Sequence, residues 1–180
     1  MPSKRTLRAI DFRAFIQKHR ELLRPPVGNR QIWEDGELIA MVIGGPNQRT
    51  DYHDDPSEEF FYQVEGDMVL RVMEEAGKPP VDVPIRAGEI FLLPPHVRHS
   101  PQRPVPGSIG LVIEAPRPPG AKDGFEWYCL KCHDLVYRTE LVLKSIVEDL
   151  PPLFEKFYQD EAARRCRNCG VVHPGKFAPT

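Results

Sequence analysis

A histidine and a glutamate that are six residues apart, His53 and Glu59, could bind one metal ion if the chain turned back between them. On a continuous strand they would lie roughly 20 Å apart, at about 3.3 Å per residue. Two ligand atoms of one divalent ion lie within roughly 4 Å of each other. Residues 54–57 are suited to a turn, because proline presets its own φ and because aspartate and serine side chains bind nearby backbone groups. The sequence therefore predicts a ligand pair joined by a turn.

A third ligand is expected in residues 94–101, where His96 and His99 follow a strand that two prolines end. In a small barrel, strands that are distant in sequence become neighbours, so this segment can meet the one that carries His53. Two histidines and one carboxylate form the facial ligand set of non-haem Fe(II) oxygenases, which leaves coordination positions for substrate and O₂. The alternative is that these residues are polar side chains of surface loops, and their spacing leaves both interpretations open.

All four cysteines occur in two Cys-x-x-Cys pairs: Cys129 with Cys132 and Cys166 with Cys169. This spacing lets each pair present two sulfurs to one tetrahedral ion. Zinc and iron both suit four thiolates. Because four protein ligands leave no position for a substrate, we predict a structural metal site. The alternative is four unrelated free cysteines.

The overall composition is that of a globular protein without a large charge imbalance. The chain has 180 residues, 24 basic and 26 acidic, and a formal net charge of −2, which argues against a nucleic-acid partner. No apolar run reaches the roughly 20 residues that cross a membrane, and the N-terminus lacks the apolar core of a signal peptide. We expect a cytoplasmic protein without a membrane partner, in which the cysteines stay reduced.

Short strands separated by turn residues are predicted over most of the chain. Asp11 is expected to cap an N-terminal helix. Residues 31–33 and 38–43 should form a hairpin across Asp35-Gly36, and residues 60–65 and 68–73 a second one. Short strands without intervening helices favour a β-sandwich or barrel.

The composition changes after residue 120, where the cysteines and two helical patterns follow. We predict one helix over residues 138–149 and a second that starts at Pro151-Pro152. The expected division is a barrel with its N-terminal helix over residues 1–122 and a helical metal-binding extension over residues 123–180.

Two short motifs are similar to those of the cupin superfamily. The first motif is represented by Gly45, Asp51, His53, Glu59 and Gly66, and the second by Gly88, Pro94 and His99. Asp51 replaces the usual first histidine of the first motif, and His96 stands where the second usually has glycine. The resemblance implies a mainly β, jelly-roll-like double-stranded β-helix. It also selects His99 over His96 as the third metal ligand beside His53 and Glu59.

Longer strings resemble the short, bacterial and fungal type of the 3-hydroxyanthranilate 3,4-dioxygenase family. They are PPVGNRQ (25–31), GGPN (44–47), RTDYHDDP (49–56), FLLPPHVRHSPQR (91–103) and DGFEWYC (123–129). The resemblance implies an Fe(II) enzyme of tryptophan catabolism, in the kynurenine pathway. With O₂ it opens the ring of 3-hydroxyanthranilate to 2-amino-3-carboxymuconate semialdehyde, which closes to quinolinate, a precursor for NAD biosynthesis. A rubredoxin-like iron at the four cysteines and a homodimer are also implied.

Four further residues are candidates for the reaction that this resemblance implies. Arg103 is the candidate anchor of the substrate carboxylate, because a guanidinium can bind both carboxylate oxygens. Arg49 could stabilise bound oxygen. Glu114 could accept a proton from the substrate, and Asn29 is a weaker candidate in the same pocket. Glu59 is expected to lie close enough to contact the substrate as well.

Two other functions use the same residues differently. A cupin that isomerises or binds a sugar or small acid without O₂ would keep His53, Glu59 and His99 but would not need Arg49 and Arg103. A zinc-ribbon binding module would have the four cysteines as its centre and the barrel as its scaffold.

Overall fold

A short helix precedes the strands in the computed structural model, which describes residues 8–24 and 28–176. Residues 25–27, which belong to the first matching string, lie outside these ranges. The helix α1 (Phe12–His19) begins after Asp11, whose carboxylate accepts a hydrogen bond from the backbone N–H of Ala14 at 3.0 Å. This confirms the predicted cap. Ile16 of α1 packs against Val42 and Ile109 of the strands.

The described residues form two antiparallel sheets. The strands are β1 (Asn29–Gln31), β2 (Ile39–Gly44), β3 (Asp51–Asp54), β4 (Glu59–Glu65), β5 (Met68–Val72), β6 (Val81–Ile85), β7 (Ile90–Leu93), β8 (His99–Gln102), β9 (Ile109–Glu114), β10 (Asp123–Tyr128) and β11 (Leu135–Leu141). One sheet has the order β1-β2-β9-β4-β7 and the other the order β11-β10-β3-β8-β5-β6. The predicted mainly β barrel is confirmed.

One of the two predicted hairpins is confirmed and the other is wrong. β1 and β2 pair, with Gln31 opposite Met41, but β1 covers residues 29–31 and not the predicted 31–33. β4 and β5 belong to different sheets, because the chain crosses from one sheet to the other at Gly66, which has a φ of 63°. Their apolar side chains still meet: Phe61 of β4 and Leu70 of β5 lie in one core between the sheets.

The C-terminal part begins as a continuation of the barrel. All side chains of β10 are buried, and β10 lies between β3 and β11. The predicted helix over residues 138–149 is wrong at its start, because residues 135–141 pair with β10. The helix α2 (Ile146–Gln159) contains both Pro151 and Pro152, so the predicted break is also absent. The division at residue 123 stays a prediction.

A second core joins the C-terminal helices to the barrel. Trp127 of β10 stacks on Phe157 of α2, with ring centroids 4.3 Å apart. The short helix α3 (Glu161–Arg164) follows and leads to the second cysteine pair. No helix among residues 8–24 and 28–176 is long and apolar enough to cross a membrane.

Candidate active site

Two histidines and one glutamate from three strands meet inside the barrel. His53 lies in β3, Glu59 begins β4 and His99 begins β8. One ligand atom from each lies within 4.8 Å of the others, and all three residues are buried. β3 and β4 belong to different sheets, so the turn at residues 54–57 carries the chain from His53 on one sheet to Glu59 on the facing sheet.

Neighbouring groups orient both imidazoles. Nδ1 of His99 lies 2.9 Å from the backbone oxygen of Val97. A carbonyl only accepts, so Nδ1 carries the proton and Nε2 is left with a free lone pair 2.8 Å from Oε2 of Glu59. Nε2 of His53 lies 2.9 Å from Oδ1 of Asp123. Such partners fix the ring and raise its basicity in metal sites. Two imidazole nitrogens and one carboxylate oxygen are a suitable donor set for a divalent first-row metal.

A cavity of about 220 Å³ opens beside this group. One part of its lining is apolar: Met41, Ile43, Leu143, Ile146 and Leu150. The other part is polar and charged: Asn29, Arg49, His53, Glu59, His99, Arg103, Glu114 and Arg117. The structure therefore brings every residue predicted for metal or substrate binding in the barrel to one cavity. An apolar wall facing a few charged groups suits a small aromatic acid.

Arg103 is a buried cation whose Nε donor is unused. Nη1 of Arg103 donates a hydrogen bond to Oε1 of Gln63 at 2.6 Å. Its Nε is buried, and no acceptor among the described residues bonds to it. Burial lowers the pKa of Arg103 to about 10, so it stays charged at neutral pH. Gly110 makes room for this guanidinium, because a Cβ there would lie 2.6 Å from Nη2 of Arg103. The arrangement fits a site for an anion.

Arg49 and Glu114 each have a charged partner. Arg49 pairs with the carboxylate of Asp51, the residue that replaces a histidine of the first cupin motif. Glu114 ends β9, opposite Glu59 of β4, and lies 2.7 Å from Nη1 of Arg117. Burial, and then the nearby carboxylate of Glu59, raise the pKa of Glu114 to about 7. A carboxyl group that titrates near neutral pH is suited to proton transfer.

Two positions remain, the candidate Asn29 and the excluded histidine His96. Asn29 begins β1 and lines the cavity. His96, which the motifs excluded as a ligand, has a side chain that is 67% exposed and lies 3.1 Å from Asp54.

Arg117 and Asp123 are site residues that the sequence did not indicate. Asp123 contacts His53, and Arg117 contacts both Asp123 and Glu114. Asp123 falls within a matching string, but no spacing rule connects it with His53, which is 70 residues away in sequence. These two residues could have been found only from the pairing of β3 with β10.

The four cysteines form a second, separate group. Sγ of Cys129 lies 3.5 Å from Sγ of Cys169, and Sγ of Cys132 lies 3.5 Å from Sγ of Cys166. All four sulfurs lie within 4.8 Å of one another. The backbone N–H of Lys131 points at Sγ of Cys129 from 3.4 Å, as in turns that hold thiolates. The group fits one tetrahedral metal ion.

Two facing antiparallel sheets around a buried histidine and carboxylate group define a cupin with a candidate metal centre. A family model described as 3-hydroxyanthranilic acid dioxygenase matches residues 5–158. The chain belongs to this family and is therefore a dioxygenase.

Curated relatives agree with this assignment. A 3-hydroxyanthranilate 3,4-dioxygenase of Shewanella woodyi is 65% identical over 96% of this chain and 90% of the relative. One from Jannaschia sp. is 63% identical over 96% of this chain and 95% of the relative. Among solved structures, a cupin-2 domain containing protein from Shewanella frigidimarina is 18% identical, with a TM-score of 0.43 over 57% of this chain and 92% of that one. Family membership and the donor group together imply a metal cofactor.

Proposed function

We propose that this dioxygenase opens the ring of 3-hydroxyanthranilate between the carbons that carry the hydroxyl and the carboxylate. Both atoms of O₂ enter the product, 2-amino-3-carboxymuconate semialdehyde, which closes to quinolinate. The observation that carries the proposal is the shared cavity. Arg103, a buried cation, lines this cavity together with His53, Glu59 and His99.

We propose Fe(II) as the metal, held by His53, Glu59 and His99. When bound, Fe(II) acts as a Lewis acid toward the substrate hydroxyl and mediates electron transfer between the ring and O₂. The donor set supports this choice, since two histidines and one carboxylate leave positions free for substrate and O₂. A cupin that isomerises or binds a small acid without O₂ is not favoured, because the family is one of dioxygenases.

The charged residues around the cavity have distinct proposed roles. Arg103 binds the substrate carboxylate through its planar fork of donors. Glu114 accepts the proton of the substrate hydroxyl, for which its raised pKa of about 7 is suited. Arg49, held by Asp51, supplies positive charge where negative charge develops during the reaction. We expect Asn29 and Glu59 to contact the amino and hydroxyl groups of the substrate.

The four cysteines are proposed to hold a structural iron or zinc. Together with α2 and α3 they would form the C-terminal extension, residues 123–180, attached to the barrel of residues 1–122. Support comes from the four sulfurs themselves, which leave no position for a substrate on a tetrahedral ion.

A cytoplasmic homodimer is proposed as the state of the protein. The outward face of β4 and β7 supports self-association, because Phe60 pairs with Leu92 and Tyr62 with Ile90. Leu92 is 54% exposed and Ile90 67%. Light scattering tests this interface. We expect a dimer for the wild type and a monomer for a Leu92→Glu variant.

Oxygen consumption tests the reaction. The protein is loaded with Fe(II) and mixed with 3-hydroxyanthranilate while O₂ uptake and near-ultraviolet product absorbance are recorded. We expect one O₂ consumed per substrate and no turnover in the variant Glu59→Ala. Iron-loaded protein that consumed no O₂ would contradict the proposal.

A further inference from the structure

One guanidinium at the edge of the cavity contacts three carboxylates. Nε of Arg117 donates to Oδ1 of Asp123 at 3.0 Å, and Nη2 donates to the same atom at 2.7 Å. Nη2 also donates to Oδ2 of Asp55 at 3.1 Å. Nη1 lies 2.7 Å from Oε2 of Glu114. The Arg117 side chain is 13% exposed, so these ion pairs are largely shielded from water.

Each of the three carboxylates has its own task in the site. Asp123 holds Nε2 of His53 at 2.9 Å. Asp55 lies in the turn between His53 and Glu59, where its Oδ1 accepts a hydrogen bond from the backbone N–H of Ser57 at 2.8 Å. Glu114 is the cavity carboxylate opposite Glu59 on the paired strands β9 and β4.

We propose that Arg117 is a positioning residue that fixes the candidate metal ligand His53, the turn before Glu59 and the proton acceptor Glu114 relative to one another. The inference rests on the proposed function, since it takes His53 as a metal ligand. Arg117 acts through these three carboxylates and has no assigned contact with the substrate.

The shape of arginine explains why one residue can do this. Its planar fork carries five N–H donors that point in fixed directions, whereas the lysine ammonium is a single compact charge. Without the guanidinium, the adjacent carboxylates of Asp55 and Asp123 would lose the cation that they share, and their repulsion would turn Asp123 away from His53. Glu114 would lose its own ion-pair partner. The site would then lose order even though every proposed ligand was still present.

Manganese binding tests this inference without reliance on turnover. Mn(II) prefers imidazole and carboxylate over thiolate ligands, so it reports the barrel site while the cysteine site keeps its own metal. Free Mn(II) is measured by electron paramagnetic resonance during titration of the full chain. We expect one bound Mn(II) in the wild type and loss of that binding in His53→Ala.

Variants of two arginines then separate positioning from general stability. Loss of a residue that orients a metal ligand commonly costs about 10–100-fold in metal affinity. We expect a loss of that size in Arg117→Gln, a smaller loss in Arg117→Lys, and none in Arg20→Gln. Arg20 is the matched control, because it makes a two-pronged ion pair with Glu65 outside the cavity.

The outcomes distinguish the inference from the proposed function. Suppose that the wild type binds Mn(II) and His53→Ala does not. Unchanged Mn(II) affinity in Arg117→Gln would then overturn the role of Arg117 and leave the proposed function intact. Wild-type protein that bound no Mn(II), or a His53→Ala variant that bound it normally, would instead contradict the proposed metal site. If Arg117→Gln does not fold, Arg117→Lys decides. The proposal then requires that Arg117→Lys has a lower kcat and weaker Mn(II) binding than the wild type. Values equal to those of the wild type would overturn it.

Discussion

Of the three candidate metal-ligand groups among the described residues, the group of His53, Glu59 and His99 and the four cysteines are built in opposite ways, while the third (His53, Asp55 and Asp123) shares His53 with the first. His53, Glu59 and His99 come from three strands of two sheets and meet only because the barrel closes. The four cysteines come from two short turns, each of which presents its pair locally. The barrel group borders a cavity lined by charged side chains, whereas the four sulfurs contact one another. The difference supports the proposal of a reactive centre in the barrel and a structural one near the C-terminus.

A buried hydrogen bond connects the two regions. The hydroxyl of Thr50, the residue between Arg49 and Asp51, donates to the backbone oxygen of Gly175 at 2.5 Å. Gly175 follows the last cysteine pair and is held in turn by Nδ1 of His173 at 3.0 Å. The C-terminal segment therefore packs on the strand that carries His53, so its loss should loosen the barrel site without removing any of the proposed catalytic groups.

The largest effect on the barrel region, apart from loss of a proposed metal ligand, is expected from Arg103→Ala. Truncation of one member of a buried charged pair costs about 2–5 kcal/mol, so the KM for 3-hydroxyanthranilate should rise by about 30-fold or more. Steady-state kinetics with 2-aminophenol, which lacks the carboxylate, provide the control. The wild type should discriminate strongly between the two compounds and the variant should not. Equal discrimination by both proteins would place the carboxylate anchor elsewhere.

A smaller effect is expected when the same guanidinium is displaced. In Gly110→Ala the new methyl group would lie 2.6 Å from Nη2 of Arg103, so the end of that flexible side chain must shift. Because a misplacement of about 1 Å can cost up to about 100-fold in rate, we expect kcat/KM to fall by about 10-fold. The thermal midpoint should stay near that of the wild type. An unchanged kcat/KM would show that the position of this guanidinium is not critical.

The last prediction concerns the C-terminal region and the pH dependence of stability, with no effect expected on the reaction itself. Burial, with the nearby charge of Arg164, lowers the pKa of His173 to about 4. The unfolded chain binds this proton near pH 6.5. Stability should therefore be complete above about pH 6.5 and fall as the pH drops toward 4, by roughly 2 kcal/mol between pH 7 and pH 5.

The variant His173→Asn isolates this contribution. The amide oxygen can still accept the hydrogen bond from the backbone N–H of Gly175, which Nδ1 of His173 accepts in the wild type, but it does not titrate. Urea unfolding at pH 7 and pH 5 should show a smaller loss of stability in the variant than in the wild type. Equal losses in the two proteins would contradict a neutral, buried His173.

The sequence predicted the two regions by different means, and this explains what it missed. The cysteine group was visible from local spacing, because each pair lies within four residues. The barrel group needed the cupin motifs to choose His99 over His96, since a loop with two histidines does not reveal which one faces inward. The short separation of residues 60–65 and 68–73 predicted a hairpin and did not reveal that β4 and β5 belong to different sheets.

The role of Arg117 could not be predicted from sequence at all. Its partners Asp55 and Asp123 lie 62 and 6 residues away, and an arginine near a strand end has many possible partners. The end of β11 was wrongly predicted as helix for a related reason. The helical pattern of its apolar residues continues into α2, but the pairing with β10 makes this segment a strand. Contacts between elements, and not local preference, decide both features.

Metal content and turnover, measured together in His53→Ala and Cys166→Ser, test the separation of the two centres most directly. His53→Ala should keep the metal of the cysteine site but lose both the metal of the barrel site and turnover. Cys166→Ser should lose the cysteine-bound metal and some thermal stability but keep measurable turnover. Full turnover in His53→Ala, or complete loss of turnover in a folded and stable Cys166→Ser, would contradict the account.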